Sequence, residues 1–242
     1  MLRNLLTFVT SLSVYASGSL SDQIEFIRNP THNAVYSPPY PPTAANDAAR
    51  LLIIGDVHGM LDELQALLGK ADYTASRGDR VIFVGDLVNK GPESAGVVQY
   101  AMDINATTVR GNHEDKVLRV WAGAEEARLQ AEAKGKDGDK AYKQFKKSLG
   151  SGKKDALEVA QSLSPEQRMW LAAAPVALRL GDLPGMGSVA VVHGGLVPSQ
   201  YSIVDDQWLT IMQYVTASAG KLISHMFTSQ ERANTTDYLI SR

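Results

Sequence analysis

The sequence predicts an α/β fold in which a largely parallel sheet alternates with helices. Short strand-like runs at residues 51–54, 81–84 and 106–109 each lead into a glycine flanked by polar residues. Stretches with helical spacing separate them, and two more strand-like runs, 176–180 and 189–192, follow a long helical region. Continuous apolar runs such as LLII and VIFV suit strands buried on both faces. Polar residues at the C-terminal ends of such strands stand where open α/β sheets place their ligand sites.

In chain order, the run at 51–54 stops at Gly55. Met60, Leu61, Leu64, Leu67 and Leu68 then recur at helical spacing, with Gly69 as the expected stop. The run at 81–84 meets Gly85, and Pro92 is expected in the first turn of a helix over PESAGVVQYAMDI. The strand at 106–109 ends in RGNHE. Residues 121–172 are rich in Ala, Lys, Glu and Gln and read as a helical insertion, with Ser164 and Gln167 forming a capping box. Trp121, Tyr142 and Trp170 in that insertion are expected to pack between helices. Its lysines, Lys134, Lys136, Lys140, Lys143, Lys146, Lys147, Lys153 and Lys154, are expected on a solvated helix face, with a rim that attracts polyphosphate as the alternative. The Gly/Pro-rich GDLPGMG joins the last two strands.

Around this domain, placed at 49–200, lie less regular segments. Residues 1–20 carry Arg3, an apolar stretch over 5–14 and small residues after it, which reads as a signal peptide or signal-like segment diluted by Thr7, Thr10, Ser11 and Ser13. A cleaved signal implies a secretory or vacuolar route, an uncleaved one the cytoplasm. Residues 21–48, with Pro30, Pro38, Pro39, Pro41 and Pro42, are expected to be a Pro-rich linker. Residues 201–242 lack comparable punctuation and form an atypical C-terminal segment.

Composition narrows the function. With 242 residues, 44% of them hydrophobic and 21% charged, the chain is a medium-sized globular domain with extensions, which excludes full-length disorder and collagen-like repeats. No stretch is long enough to suggest a transmembrane span. A net charge of −2 gives no global attraction to nucleic acid, so any polyanion site must be local. The absence of cysteine removes thiolate zinc sites and cysteine nucleophiles. Metal chemistry in this chain must therefore use His, Asp, Glu and Asn.

Four clusters supply those types: GDVHG at 55–59, GDLVNKGP at 85–92, GNHE at 111–114 and HGG at 193–195. Asp56, His58, Asp86, Asn112 and His193 offer oxygen and imidazole donors suited to manganese, zinc or iron(II). Each cluster alone is common; four in order at strand ends are restrictive.

In that order the motifs resemble the calcineurin-like metallophosphoesterases, in the branch that holds protein Ser/Thr phosphatases and diadenosine tetraphosphatases. GDLVNKGP is most similar to the ApaH-like phosphatases, whose relatives include an endopolyphosphatase. The resemblance spans residues 51–198. It implies a four-layer α/β/β/α sandwich around two divalent metal ions. By motif, Asp56 and His58 would bind the first ion, Asp86 would bridge, and Asn112 and His193 would bind the second. His113 would protonate the leaving group, with Asn89 beside it in the catalytic set, while Lys90, Asn112 and Arg110 would contact substrate phosphate.

Two departures shape the expected function. Protein phosphatases of the superfamily have Asp-Arg where this chain has Asn89 and Lys90, so His113 lacks a carboxylate partner and should be a less strongly held cation. A phosphate leaving group needs protonation less than an alkoxide, which favours phosphoanhydride substrates, polyphosphate or dinucleoside polyphosphates. The second departure is a missing Gly-His after HGG; His225 in LISHMFT does not match that setting. Together with the loss of pattern after Gln200, this leads to an expectation that C-terminal strands are lacking. Two alternatives stay open: a protein Ser/Thr phosphatase acting on phosphoproteins, and an inactive phosphate-binding isoform.

Overall fold

In the computed structural model two sheets lie face to face, and the site sits where their strands end. The structure describes residues 18–29, 33–35, 49–183, 187–195 and 238–240. The chain runs through α1 (Leu20–Arg28), β1 (Asn33–Val35), β2 (Leu51–Ile54), α2 (Leu61–Lys70), β3 (Arg80–Phe83), α3 (Ser94–Asp103) and β4 (Thr107–Thr108). It continues through α4 (Asn112–Glu132), α5 (Gly138–Ser148), α6 (Ser151–Ser162), α7 (Pro165–Ala173), β5 (Ala177–Leu183), β6 (Gly187–Val192) and β7 (Tyr238–Ile240).

β2, β3 and β4 form one parallel sheet in that order, with Leu51 opposite Arg80 and Phe83 opposite Thr108. The other sheet has the order β1-β5-β6-β7, parallel except for the antiparallel β5–β6 pair. The alternation along β3 decides the layering. Val81 and Phe83 join the helical core with Leu64, Val97, Val98 and Leu118, whereas Ile82 and Val84 meet Leu178, Leu180, Val189 and Val191 of the second sheet. Each fully buried aliphatic or aromatic side chain contributes about 1.5–3 kcal/mol. Helices, parallel sheet and mixed sheet thus stack in three layers among the described residues.

Several boundaries differ from the sequence reading. Residues 21–48 are not wholly a linker: α1 starts in a capping box, with Ser19 Oγ accepting from Asp22 N–H at 3.2 Å and Asp22 returning to Ser19 N–H at 3.0 Å. Its Ile24 and Ile27 are buried against α4, and β1 pairs with β5, so tertiary packing stabilises a helix too short to stand alone. The prolines from Pro30 to Pro42 fall outside the described residues. Gly69 does not stop α2, which runs on to Lys70. Pro92 precedes α3 rather than entering its first turn. The expected loss of C-terminal strands is corrected by β7, while the rest of 201–242, His225 included, lies outside the described residues.

The insertion is helical as expected, though α4 runs unbroken from the GNHE motif into it. Trp121 is buried under the Arg168 guanidinium, 4.6 Å from the ring centre. Tyr142 Oη accepts from Gln161 Nε2 at 2.9 Å, and Trp170 packs against the helical core. Lys134, Lys136, Lys140, Lys143, Lys147 and Lys153 are exposed, and Lys146 pairs with Glu158 at 3.2 Å. No helix among the described residues is long and apolar enough to cross a membrane.

At the strand edge far from the site, the buried carboxylate of Asp79 accepts from the backbone N–H of Arg50 and Thr74, each at 3.0 Å, and from the guanidinium groups of Arg50 and Arg77 at 2.8 and 2.7 Å. Hydrogen bonds from Arg77 and Arg50 hold its carboxyl far below the usual carboxylate range. A group depressed on folding stabilises the folded state above its unfolded pKa of about 4, and this contribution is lost as pH falls below that value. Asp79→Ala should therefore melt several degrees lower at pH 7, and the difference from wild type should shrink as pH falls below about 4. Thermal melts across pH 2–8 read this directly.

Candidate metal centre

The centre is built from loops that leave β2, β3, β4 and β6. Asp56 and His58 follow β2, Asp86 to Lys90 follow β3, Asn112 and His113 open α4 just after β4, and His193 follows β6. Backbone bonds tie the first two loops together: Val57 and His58 N–H donate to Asp86 O at 3.0 and 2.9 Å, Gly59 N–H to Leu87 O at 2.8 Å, and Gly91 N–H to His58 O at 2.8 Å. Four site residues hold left-handed backbone, His58 at φ 51°, Asp86 at 56°, Asn89 at 71° and Lys90 at 69°. Such non-glycine conformations cost about 1–3 kcal/mol each and persist where the surroundings over-determine them.

Gly111 is required by close approach. A Cβ there would lie 2.4 Å from Asp86 Oδ1 and 2.6 Å from Glu114 Oε2. The glycine thus admits both carboxylates to the α4 N-terminus.

Glu114 is the residue the sequence reading left without a role. Fully buried, it accepts from Asp86 N–H at 2.8 Å, Gly111 N–H at 2.9 Å, Leu87 N–H at 2.7 Å and Val88 N–H at 3.2 Å. Burial pushes its carboxyl above the ordinary range, aided by the Asp86 charge and opposed by the backbone donors. An acid three residues beyond the helix-opening glycine of GNHE is the signal that marks it.

Each of the two outer histidines is oriented by a carbonyl. His193 Nδ1–H donates to Val84 O at 2.8 Å, which turns Nε2 to Asn112 Oδ1 at 2.9 Å and Asp86 Oδ1 at 3.3 Å. His58 Nδ1–H donates to Val88 O at 3.2 Å, turning Nε2 to Asp56 Oδ2 at 3.4 Å and Asp86 Oδ2 at 3.7 Å. This is how metal-ligating imidazoles are commonly fixed, one nitrogen held by an acceptor and the other aimed into the site.

Asp86 stands at the centre. It belongs to two groups, His58–Asp86–His113 and Asp56–Asp86–His193, whose potential ligand atoms lie within 4.8 Å of one another in each group. Its Oδ1 accepts from His113 N–H at 2.9 Å, whereas its buried Oδ2 accepts no hydrogen bond among the described residues and faces His58 Nε2 and His113 Nε2 at 3.7 and 3.9 Å. A buried carboxylate oxygen among imidazole nitrogens fits a divalent cation, and these donors suit one of intermediate softness. Burial would raise the Asp86 carboxyl, yet the hydrogen bond and charge of His193 and the His113 N–H hold it below its ordinary value. Burial lowers His193, but the Asp86 carboxylate outweighs it and raises the imidazole. Burial pushes His113 down, and its Nδ1 has no hydrogen-bond partner among the described residues.

The other expected site residues fall into two groups. Lys90 is at the site, with Nζ 2.7 Å from His58 Nε2, and Asn89 shapes the loop, its Oδ1 accepting from Lys90 N–H and its own N–H donating to Ser94 Oγ, both at 2.9 Å. Arg110 does not serve as a phosphate contact. Its side chain is fully buried, bonded to Ile27 O at 3.2 Å and paired with Asp115 at 2.9 Å, because α1 covers the face to which it turns.

Strand ends that gather carboxylates and imidazoles around one shared aspartate define a metal-dependent hydrolase architecture. A family model for calcineurin-like phosphoesterases matches residues 49–239, and the chain belongs to that family. Over 74 residues it is 43% identical to the symmetrical bis(5'-nucleosyl)-tetraphosphatase of Edwardsiella ictaluri, covering 30% of this chain and 26% of that protein. Over 73 residues it is 44% identical to the same-named protein of Yersinia enterocolitica, covering 29% and 25%. A solved structure of a candidate diadenosine tetraphosphatase is 28% identical, with a TM-score of 0.46 over 69% of this chain and 56% of that one. The chain spans about a quarter of the length of these curated relatives.

Replacing Glu114 by Gln leaves one oxygen where two served, so two buried backbone N–H groups lose their acceptor. At about 1–3 kcal/mol each, Glu114→Gln should lose roughly 2–6 kcal/mol of stability in urea denaturation.

Proposed function

We propose that this chain is a metal-dependent phosphohydrolase that cleaves phosphoanhydride bonds, with a dinucleoside polyphosphate or polyphosphate as substrate. The observation that carries the reading is Asp86, shared by two ligand groups built on separate strand ends. Divalent cations bound there would supply charge neutralisation at the phosphoryl oxygens and would lower the pKa of a water so that, once deprotonated, it attacks phosphorus.

The chain's own residues orient these events. Val84 O and Val88 O fix His193 and His58 so that both present Nε2 inward. Asp86 holds the α4 N-terminus through His113 N–H, which sets the His113 ring against His58 at a centroid distance of 4.7 Å. His113 donates a proton to the leaving oxygen, and Lys90 contacts the phosphate as a point charge.

The substrate class follows from the leaving group. Among the described residues His113 has no carboxylate on Nδ1 to hold it as a cation, which suits a leaving phosphate better than a leaving alkoxide. The similarity to symmetrical bis(5'-nucleosyl)-tetraphosphatases supports the same class.

The test is hydrolysis of diadenosine tetraphosphate, long-chain polyphosphate and a phosphoserine peptide in parallel, with manganese or zinc. The expected result is turnover of an anhydride substrate well above the peptide, reduced by about a hundredfold or more in Asp86→Asn. Preference for the peptide would overturn the substrate class. Turnover insensitive to Asp86→Asn would overturn the site.

A further inference from the structure

Lys90 does more in this geometry than face substrate. Its Nζ lies 2.7 Å from His58 Nε2. Because His58 Nδ1–H is committed to Val88 O at 3.2 Å, Nε2 is the acceptor and the lysine ammonium donates to it. The lone pair that would bind a cation is therefore the one Lys90 uses.

The loop is built to deliver that contact. Two consecutive non-glycine residues, Asn89 and Lys90, hold left-handed backbone at φ 71° and 69°. Ser94 Oγ takes Asn89 N–H, Asn89 Oδ1 takes Lys90 N–H, and His58 O takes Gly91 N–H, so the segment bearing Lys90 is fastened to the segment bearing His58. The lysine itself is exposed, so it can swing to solvent without disturbing the core.

We propose that the Lys90 ammonium and a divalent cation compete for His58 Nε2, so that Lys90 sets the metal concentration at which the centre fills. One imidazole nitrogen serves one partner at a time. When the cation binds, Lys90 is released next to the same site, where an incoming phosphate is its natural counter-ion. The coupling is reciprocal: phosphate that draws Lys90 away favours metal binding, and metal that displaces Lys90 favours phosphate. This inference rests on the metal-centre reading given above.

The experiment titrates manganese into the chelator-treated full chain by calorimetry, with free manganese counted independently by its electron paramagnetic resonance signal. Lys90→Met keeps the stem and removes the charge, and should tighten manganese binding by about three- to tenfold. Lys90→Gly, which suits the left-handed backbone, is a second variant that should tighten it likewise. Lys116→Met is the charge control: Lys116 reaches His113 only through space, and its Nζ lies near Gly152, 3.3 Å from where a Cβ would stand. It should change affinity by less than twofold.

Unchanged affinity in both Lys90 variants would overturn the competition, as would an equal gain in Lys116→Met, which would assign the effect to net charge rather than to the contact. If wild type binds manganese and Asp86→Asn does not, such a result removes this inference and leaves the metal centre standing. Failure of every variant to bind manganese or zinc would remove both.

Discussion

The site depends on the placement of one buried carboxylate. Glu114 sits at the start of α4 and takes four backbone N–H groups, three from the loop after β3 and one from Gly111. Those amides would otherwise be buried donors without acceptors, each costing about 1–3 kcal/mol. By satisfying them together, Glu114 fixes the loop that carries Asp86 against the helix that carries Asn112 and His113. The strained backbone of Asp86, Asn89 and Lys90 is held in the same assembly. Position at the metal centre is thus set largely by backbone N–H groups bonded to Glu114, with Asp86 Oδ1 adding a bond from His113 N–H.

The sheets do the coarser work. β3 is buried on both faces, so Val81 and Phe83 fix it to the helices while Ile82 and Val84 fix it to the second sheet. With β3 immobilised, the parallel register of β2 and β4 brings Asp56, His58 and Asn112 to the same end. His193 comes from the other sheet, and its bond to Val84 O joins the two sheets at the centre. Packing and strand register therefore bring the ligand-bearing ends together, and hydrogen bonds orient the side chains there.

Much of this was legible in the sequence, for reasons that separate what was read from what was missed. Strands with continuous apolar runs declare themselves locally, and LLII and VIFV became β2 and most of β3. The ligand motifs declare themselves because four of them follow strands in order, although each alone is common. α1 does not: nine residues with two buried isoleucines stabilise a helix only when α4 is there to receive them. Arg110 misled for the same reason, since an arginine next to a phosphate-type motif looks functional until α1 is seen to cover it. Glu114 was visible as a letter of GNHE, and its contact with Gly111 N–H is local, but the other three reach back 26 to 28 residues and belong to the tertiary fold.

Arg110 and Glu114 together explain the electrostatic character of the centre. Two carboxylates, Asp86 and Glu114, are fully buried there, and the Asp86 charge adds to the cost of ionising Glu114. A nearby guanidinium would be the simplest neutraliser, and the chain has one adjacent to the motif. Instead Arg110 turns away to Asp115 and the carbonyl of Ile27, while Glu114 is held by uncharged amides. The fixed cation is spent on anchoring α1, so the charge on Asp86 Oδ2 is not quenched by a permanent ion pair. An exchangeable divalent ion would then meet a carboxylate oxygen without a hydrogen-bond partner among the described residues and two imidazoles already turned toward it. An Arg–Asp86 pair would place a fixed cation against that oxygen and cost the desolvation of two buried ions, so Arg110 paired with Asp115 instead leaves Asp86 Oδ2 open to an exchangeable cation.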